Sequence, residues 1–110
     1  MGIYGGMRVA AEKQFEKQVR EFLKTLPKQW NFKVFGNAFQ ESGVPDLIGC
    51  INGRLVALEI KSSRGKASEL QLYKIDLINK AGGYATVVSP KNWEEVKSKL
   101  IKISQGEWIE

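Results

Sequence analysis

Histidine does not occur anywhere in this chain of 110 residues. Without an imidazole, the chain can form no Ser-His-Asp or Cys-His catalytic arrangement, no histidine general base and no histidine metal ligand. Any acid–base or metal chemistry must therefore come from Asp, Glu, Lys, Tyr or bound water.

Cysteine is almost absent as well, since Cys50 is the only one. A single thiol excludes both an internal disulfide and a thiolate zinc cluster. Cys50 lies in an apolar stretch of sequence, which predicts a buried and unreactive thiol.

Long apolar runs are also missing, because none approaches the roughly 18 residues that a membrane-spanning helix needs. Residues 1–7 are Gly-rich and do not have the pattern of a secretion signal. We therefore expect no membrane association and a cytoplasmic location, which is the host cytoplasm if the chain is phage-encoded. The length predicts a single domain over residues 1–110.

Acidic residues are outnumbered, with 12 Asp and Glu against 17 Lys and Arg, for a net charge of +5. A small basic domain favours a polyanionic partner such as nucleic acid. The same charge also promotes solubility, so it does not decide the function alone.

Hydrophobic periodicity and turn residues predict the element order α-β-β-β-α-β-α. Pro27 ends the first helix. The predicted helices are residues 8–26, 68–81 and 89–103. The predicted strands are residues 31–39, 46–51, 54–61 and 84–88. The tail, 106–110, fits either a short edge strand or a partner contact.

The second and third predicted strands are apolar on both alternations. A sheet that is apolar on both faces must be covered on both, and helices on the two sides would cover it. The sequence therefore predicts an α/β fold with a mixed sheet flanked by helices.

The dipeptide Asn52-Gly53 is the strongest short signal for a two-residue hairpin turn. If the residues flanking this turn pair with each other, counting outward places Asp46 opposite Glu59. Alternation along the ladder makes them a non-hydrogen-bonded pair, with Cα atoms about 4.5 Å apart.

Two facing carboxylates on an apolar sheet are unfavourable unless one is protonated or a cation lies between them. Lys61 is two residues beyond Glu59 on the same face of the strand and diagonal to Asp46. Mg²⁺ prefers oxygen ligands of this kind, and when bound it polarises a phosphodiester and lowers the pKa of a bound water. A solvated surface hairpin is the alternative, but the apolar strand disfavours it.

The segments 43–46, Gly-Val-Pro-Asp, and 59–61, Glu-Ile-Lys, resemble the PD-(D/E)XK nuclease superfamily. The chain is most similar to its VRR-NUC family of small structure-specific nucleases, and more distantly to archaeal Holliday junction resolvases. The similarity extends to Ser-Glu-Leu-Gln at 68–71 and Ala-Gly-Gly at 81–83, and spans roughly residues 12–88. It implies a restriction-endonuclease-like αβββαβ core with a mixed four-stranded sheet, followed by a C-terminal helix.

The resemblance also implies roles for single residues. Asp46, Glu59 and the backbone carbonyl of Ile60 would ligate Mg²⁺, for which Mn²⁺ would substitute. Lys61 would position or activate the attacking water. Gln71 would reach back to the site, although its spacing from a helix-starting serine also fits a capping box.

A further acid is expected on the first helix, where Glu12 and Glu16 are four residues apart and neighbour each other. Glu16 fits the family spacing better and is preferred, with Glu12 in reserve. Either residue could instead be a solvated helix Glu.

Basic and hydroxyl side chains flank the proposed site, and they would hold a phosphate backbone without reading its sequence. The candidates are Ser62, Arg64, Lys66 and Lys74. Packing or interface roles are expected for the tryptophans, Trp30, Trp93 and Trp108.

The residue patterns predict a magnesium-dependent endonuclease that hydrolyses phosphodiester bonds. The resemblance implies that its substrate is branched DNA such as Holliday junctions. A chain without a second domain would grip a junction best as a homodimer. The alternatives are a non-catalytic nucleic-acid-binding module of the same fold, or a nicking or end-processing nuclease without junction preference.

Overall fold

The computed structural model describes residues 3–36 and 41–107. Three helices and four strands follow one another in the predicted order, α-β-β-β-α-β-α. The elements are α1 (Ile3–Leu23), β1 (Gln29–Lys33), β2 (Leu47–Ile51), β3 (Arg54–Ile60), α2 (Glu69–Lys80), β4 (Tyr84–Val88) and α3 (Trp93–Ser104).

The four strands form one mixed sheet in the order β1-β2-β3-β4. The pairs β1–β2 and β2–β3 are antiparallel, whereas β3 and β4 are parallel. Parallel neighbours need a crossover connection, and α2 provides it. The predicted fold class is therefore confirmed: an αβββαβ core with a mixed four-stranded sheet and a C-terminal helix.

The β2–β3 hairpin turns at Asn52 and Gly53, whose φ angles are 49° and 84°. Positive φ at both central residues is the requirement of a type I′ turn, which Asn-Gly meets at little cost. Ile51 pairs with Arg54, and the same register continues outward along the strands. The predicted register is thus confirmed.

One face of the sheet, here called the closed face, is covered by α1 and α3. Trp93 of α3 packs edge-on against Phe15 and Phe22 of α1, with ring centroids 5.7 and 5.3 Å apart. This contact confirms the packing role expected for Trp93. The buried strand residues of this face are Leu47, Ile51, Val56, Leu58, Ile60 and Val88.

Among residues 3–36 and 41–107, only α2 covers the opposite face, here called the open face, and it does so over β3 and β4. Ala57 and Ala85 are buried there beneath Ile75. A single helix is about 10 Å wide, and strands lie about 4.8 Å apart, so one helix covers two strands. The prediction that helices cover both faces is therefore wrong over β1 and β2.

Cys50 lies on the uncovered part of the open face and is exposed, so the prediction of a buried thiol is also wrong. Trp30 lies beside it and is 64% exposed. Trp30 is thus not a core residue, and the interface role expected for it stays a prediction. The third tryptophan, Trp108, lies outside the described residues.

Helix α1 begins before the predicted residue 8 and ends at Leu23, earlier than the predicted residue 26. The N–H groups of Thr25 and Leu26 bond to carbonyls only three residues back, those of Phe22 and Leu23. Pro27 disfavours the α conformation in the residue before it, so the helix tightens and stops ahead of the proline.

Helix α3 begins at Trp93, later than the predicted residue 89. The Asn92 side chain accepts the Ser89 N–H at 2.9 Å and donates to the Val87 carbonyl at 2.9 Å. These bonds stabilise a turn over 89–92, and the helix starts after it.

Strand β1 covers Gln29–Lys33 instead of residues 31–39. The pairing extends by one bond, from the Val34 N–H to the Asp46 carbonyl at 2.7 Å. Residues 37–39 of the predicted strand and residues 108–110 of the predicted tail lie outside the described residues, and 106–107 form no strand. None of the helices in the described ranges is long and apolar enough to cross a membrane.

Candidate functional site

The predicted acid pair forms at the end of the β2–β3 hairpin that lies opposite its turn. The last recorded pair of the ladder is Leu47 with Leu58, so continuing the register by one residue sets Asp46 opposite Glu59. Asp46 Oδ2 accepts a hydrogen bond of 2.8 Å from the Ile60 N–H. Because this bond reaches across to the neighbouring strand, it fixes the Asp46 carboxylate beside β3.

Pro45 removes one backbone hydrogen bond from this end of the ladder. By the same register Pro45 lies opposite Ile60, at a position where two residues normally exchange both backbone hydrogen bonds. Proline has no N–H to donate, so it cannot bond to the Ile60 carbonyl. The N–H and C=O of one strand residue point to the same side, so this carbonyl points toward Asp46.

Glu59 is the most deeply buried acid of the site, with 2% of its side chain exposed. Burial and the nearby Asp46 carboxylate raise the pKa of Glu59 to about 7, against an opposing effect of Lys61. Its Oε1 atom is buried and has no hydrogen-bond partner among the described residues. An unpaired buried carboxylate oxygen is costly, and a cation beside it would remove that cost.

Lys61 completes the cluster, with its Nζ atom 3.2 Å from Glu59 Oε2. Its backbone N–H donates to the Val88 carbonyl at 2.9 Å, which ties the residue to β4. Gly65 folds back against the Lys61 stem, where a Cβ would lie 3.4 Å from the lysine Cβ and Cδ. The backbone is thus fixed, and 16% of the Lys61 side chain is exposed.

Both candidate acids of α1 line a surface cleft that also contains Asp46. Glu16 Oε1 is 2.6 Å from the Lys33 Nζ atom, and its side chain is 16% exposed. Glu12 lines the same cleft. The structure therefore places both residues on a cleft shared with Asp46, and it pairs the preferred one with a lysine of β1.

The residues present fit a magnesium ion. No set of three or more His, Cys, Asp or Glu side chains in residues 3–36 and 41–107 converges to hold a metal. Mg²⁺ does not need one, because it is usually held by one or two carboxylates together with waters and substrate phosphates. Asp46, Glu59 and the Ile60 carbonyl would supply the protein ligands.

Gln71 occupies the capping box that its spacing predicted. Its side-chain oxygen accepts the Ser68 N–H at 2.8 Å, and Ser68 Oγ accepts the Gln71 N–H at 3.1 Å. The side-chain oxygen is therefore engaged in the cap. A role toward a substrate would belong to the amide NH₂ group, and that role stays a prediction.

The four predicted phosphate-binding residues differ in their surroundings. Arg64 and Lys66 are exposed in the loop after Lys61. Lys74 is paired with Glu41 at 2.6 Å, so nucleic acid would compete with that carboxylate. The Ser62 hydroxyl is buried, which keeps it away from a phosphate in this conformation.

Two features of the site did not emerge from the sequence. The pairing of Lys33 with Glu16 joins residues 17 positions apart, and only the packing of α1 against the sheet reveals it. The effect of Pro45 on the Ile60 carbonyl could have been predicted, because the hairpin register sets residue 45 opposite residue 60 and residue 45 is a proline.

Comparisons of the chain with protein-family models, with curated proteins and with solved structures give no significant match. The interpretation of this site therefore depends on its geometry and on the motif resemblance.

Proposed function

We propose that the protein is a magnesium-dependent endonuclease of the PD-(D/E)XK superfamily, similar to the VRR-NUC family, that cuts branched DNA in the cytoplasm. One observation carries the proposal. The type I′ hairpin sets Asp46 opposite a buried Glu59 whose Oε1 lacks a partner, and Lys61 Nζ lies 3.2 Å from the other oxygen. Without a cation, this cluster leaves a buried carboxylate oxygen unsatisfied whenever Glu59 is ionised, at a cost of about 1–3 kcal/mol or more.

Each residue of the cluster has a part in phosphodiester hydrolysis. Asp46, Glu59 and the Ile60 carbonyl would hold the ion, which when bound would supply Lewis-acid polarisation of the phosphate. The Lys61 ammonium lies beside these ligands and orients the attacking water or stabilises charge on the phosphate. Arg64 and Lys66 hold the backbone of the DNA nearby.

The net charge of +5 supports a polyanionic substrate. The candidate backbone contacts Arg64 and Lys66 are exposed in the loop after Lys61. We therefore propose selection of DNA by shape, at branch points such as Holliday junctions, with phosphate contacts that carry no sequence information.

The decisive experiment measures cleavage of junction, flap, nicked and linear DNA by the purified full chain, with Mg²⁺ or Mn²⁺ and with EDTA. We expect metal-dependent cuts, most rapid in the junction. Equal rates on all four shapes would support a nicking or end-processing nuclease. A lack of cutting with either metal would contradict the enzyme proposal.

The matched variant is Asp46→Asn, which keeps the size of the side chain and an oxygen that can accept the Ile60 N–H. We expect it to bind junction DNA normally and to cut it at least ~10²–10³-fold more slowly. Arg64→Gln serves as the control, since this exposed loop residue should affect binding more than cutting. An Asp46→Asn protein that cuts at the normal rate would show that the site is misassigned.

A non-catalytic nucleic-acid-binding module is the second candidate, and the Glu16–Lys33 ion pair of 2.6 Å favours it. With Glu16 held by a lysine, the preferred acid of the first helix is engaged away from the acid pair. If this candidate is correct, the wild-type chain and the Asp46→Asn variant will bind junction DNA equally and neither will cut.

A further inference from the structure

Four cations form a line along the outer side of α1, here called the basic stripe. The stripe consists of Lys13, Lys17, Arg20 and Lys24. We propose that it binds the phosphate backbone of one duplex arm of a branched DNA and guides that arm into the cleft beside Asp46. The choice of DNA as the ligand rests on the proposed function, but the test below measures binding and does not depend on cleavage.

The spacing of the four residues places them on one side of the helix. Successive members are four, three and four residues apart, and residues at these separations are neighbours on a helix surface. The three lysines are exposed, and Arg20 is half-buried. Phe15 and Val19 of the same helix are buried against the closed face, so the stripe lies on the side of α1 that faces solvent.

The charge of the stripe is not neutralised within the part of the chain that the structure describes. In α2 and α3, exposed lysines pair with acids of their own helix, Lys80 with Asp76 at 2.8 Å and Lys99 with Glu95 at 3.3 Å. Among residues 3–36 and 41–107, no member of the stripe forms an ion pair, although Glu21 is within four residues of two of them. Like charges at this spacing repel each other, and a polyanion would relieve that repulsion.

Helix stability alone does not account for the stripe. The C-terminal end of a helix carries partial negative charge, which favours a cation in the last turn, and Arg20 lies in the last turn of α1. Lys13 and Lys17 lie earlier in the helix, where this effect has faded. Their charge therefore has no partner in the helix that would explain it.

The stripe begins at the candidate site. Lys13 lines the cleft that also contains Asp46, Glu12 and Glu16. From Lys13 to Lys24 the helix rises about 16 Å, which equals the rise of roughly five base pairs of duplex DNA. A duplex that lies along α1 would therefore contact the whole stripe while its end nearest Lys13 reaches the cleft.

The surroundings of the stripe favour nucleic acid over a membrane surface. A helix that binds a membrane inserts its apolar side into the lipid, whereas the apolar side of α1 is buried against the sheet. A row of lysine and arginine without an apolar partner surface matches a repeating row of phosphates.

The test is the salt dependence of junction binding, measured with EDTA by fluorescence anisotropy of the full chain between about 50 and 200 mM NaCl. The variant Lys17→Gln/Lys24→Gln is compared with Lys80→Gln/Lys99→Gln, which removes the same charge from paired lysines of α2 and α3. Each phosphate contact contributes about 0.9 to the slope of log affinity against log salt. We expect the stripe variant to lose about 2 from this slope and to bind roughly 10- to 100-fold more weakly at about 0.1 M salt. The control should keep the wild-type slope and affinity.

Glu21→Gln gives a second measurement in the opposite direction, because it removes an exposed acid next to the stripe. We expect it to tighten junction binding roughly twofold to fivefold at low salt. Glutamine has nearly the helix propensity of lysine and glutamate, so all three variants should keep the circular dichroism spectrum of wild type.

Failure of this proposal is distinct from failure of the nuclease proposal. A stripe variant that binds junction DNA with the slope and affinity of the control would overturn the stripe, even if wild type cuts normally. A wild type that does not bind junction DNA would overturn it as well. The expected slopes in a wild type that never cuts would support the stripe and contradict the nuclease. A stripe variant that loses binding only to vesicles containing phosphatidylserine would assign the stripe to a membrane and overturn the DNA proposal.

Discussion

The two faces of the sheet are built from the same strands but are used differently. On the closed face, alternate residues such as Leu58 and Val88 are almost fully buried beneath α1 and α3. On the open face, α2 covers β3 and β4 and leaves the strands beside them in solvent. The closed face therefore supplies most of the stability of the domain, whereas the open face carries Asp46, Glu59 and exposed apolar side chains such as Trp30.

This difference shows how a small domain can accommodate an unfavourable site. Glu59 and Leu58 are adjacent in β3, yet one faces the acid cluster and the other the core. The burial of apolar side chains on the closed face, at about 25 cal/mol per Å², offsets the cost of holding two carboxylates together on the open face.

The largest expected effect is a difference in stability between two variants of β3, one at a leucine on each face of the sheet. Leu58 is 1% exposed and Leu55 is 46% exposed. We expect Leu58→Ala to lower the free energy of unfolding by about 2–5 kcal/mol, because it leaves a cavity in a packed core. Leu55→Ala should cost less than about 1 kcal/mol in the monomer. Urea denaturation measures both, and equal losses would contradict the division into closed and open faces.

The next effect concerns the free-energy cost of burying the ionised Glu59 carboxylate. Its pKa is raised from 4.5 to about 7 in the folded protein, so the folded state binds the proton more tightly than the unfolded state. The contribution of protonated Glu59 to the free energy of unfolding is therefore fully present below pH 4.5, and it is lost as the pH rises to about 7. A shift of this size corresponds to about 3 kcal/mol as an upper value.

Glu59→Gln removes this titration. We expect the variant to become progressively more stable than wild type between pH 4.5 and 7, when unfolding by urea is measured with EDTA present. Glu107→Gln, which removes an exposed carboxylate outside the acid cluster, is the control variant. At pH 8 added Mg²⁺ should stabilise wild type but not Glu59→Gln. A difference independent of pH would show that Glu59 is an ordinary carboxylate.

The smallest expected effect comes from changing the capping box at the start of α2. Ser68→Ala and Gln71→Ala each remove one half of the capping box, and each should cost about 0.5–2 kcal/mol of stability. If the Gln71 amide also reaches the substrate, only Gln71→Ala will slow junction cleavage per folded molecule. We expect that result, and equal cleavage by the two variants would limit Gln71 to the cap.

The features that local chemistry controls were predictable from the sequence. The Asn52-Gly53 dipeptide determined the turn type, and the turn determined the register that brings Asp46 to Glu59. The capping box at Ser68 and Gln71 was equally readable, because both partners lie within one helical turn.

The features that depend on how elements pack were not predictable. The apolar alternation of β2 gave no sign that Cys50 would be exposed, because it does not reveal how far a covering helix extends. The choice between Glu12 and Glu16 stayed open for the same reason, since Lys33 reaches Glu16 only after α1 packs on the sheet. The ends of α1 and α3 shifted because side chains and a proline compete locally with the helix.

The hairpin turn at 52–53 lies six residues from Asp46, about 20 Å along the strand, and contributes no atom to the site. It nevertheless determines which residues meet there, because a one-residue change in loop length would move every side chain of one strand to the other face. During evolution this turn can exchange residues that tolerate positive φ, whereas a single insertion or deletion would separate the acids. Natural selection for the chemistry of the acid site therefore also acts on the length of the 52–53 loop, which lies far from that site.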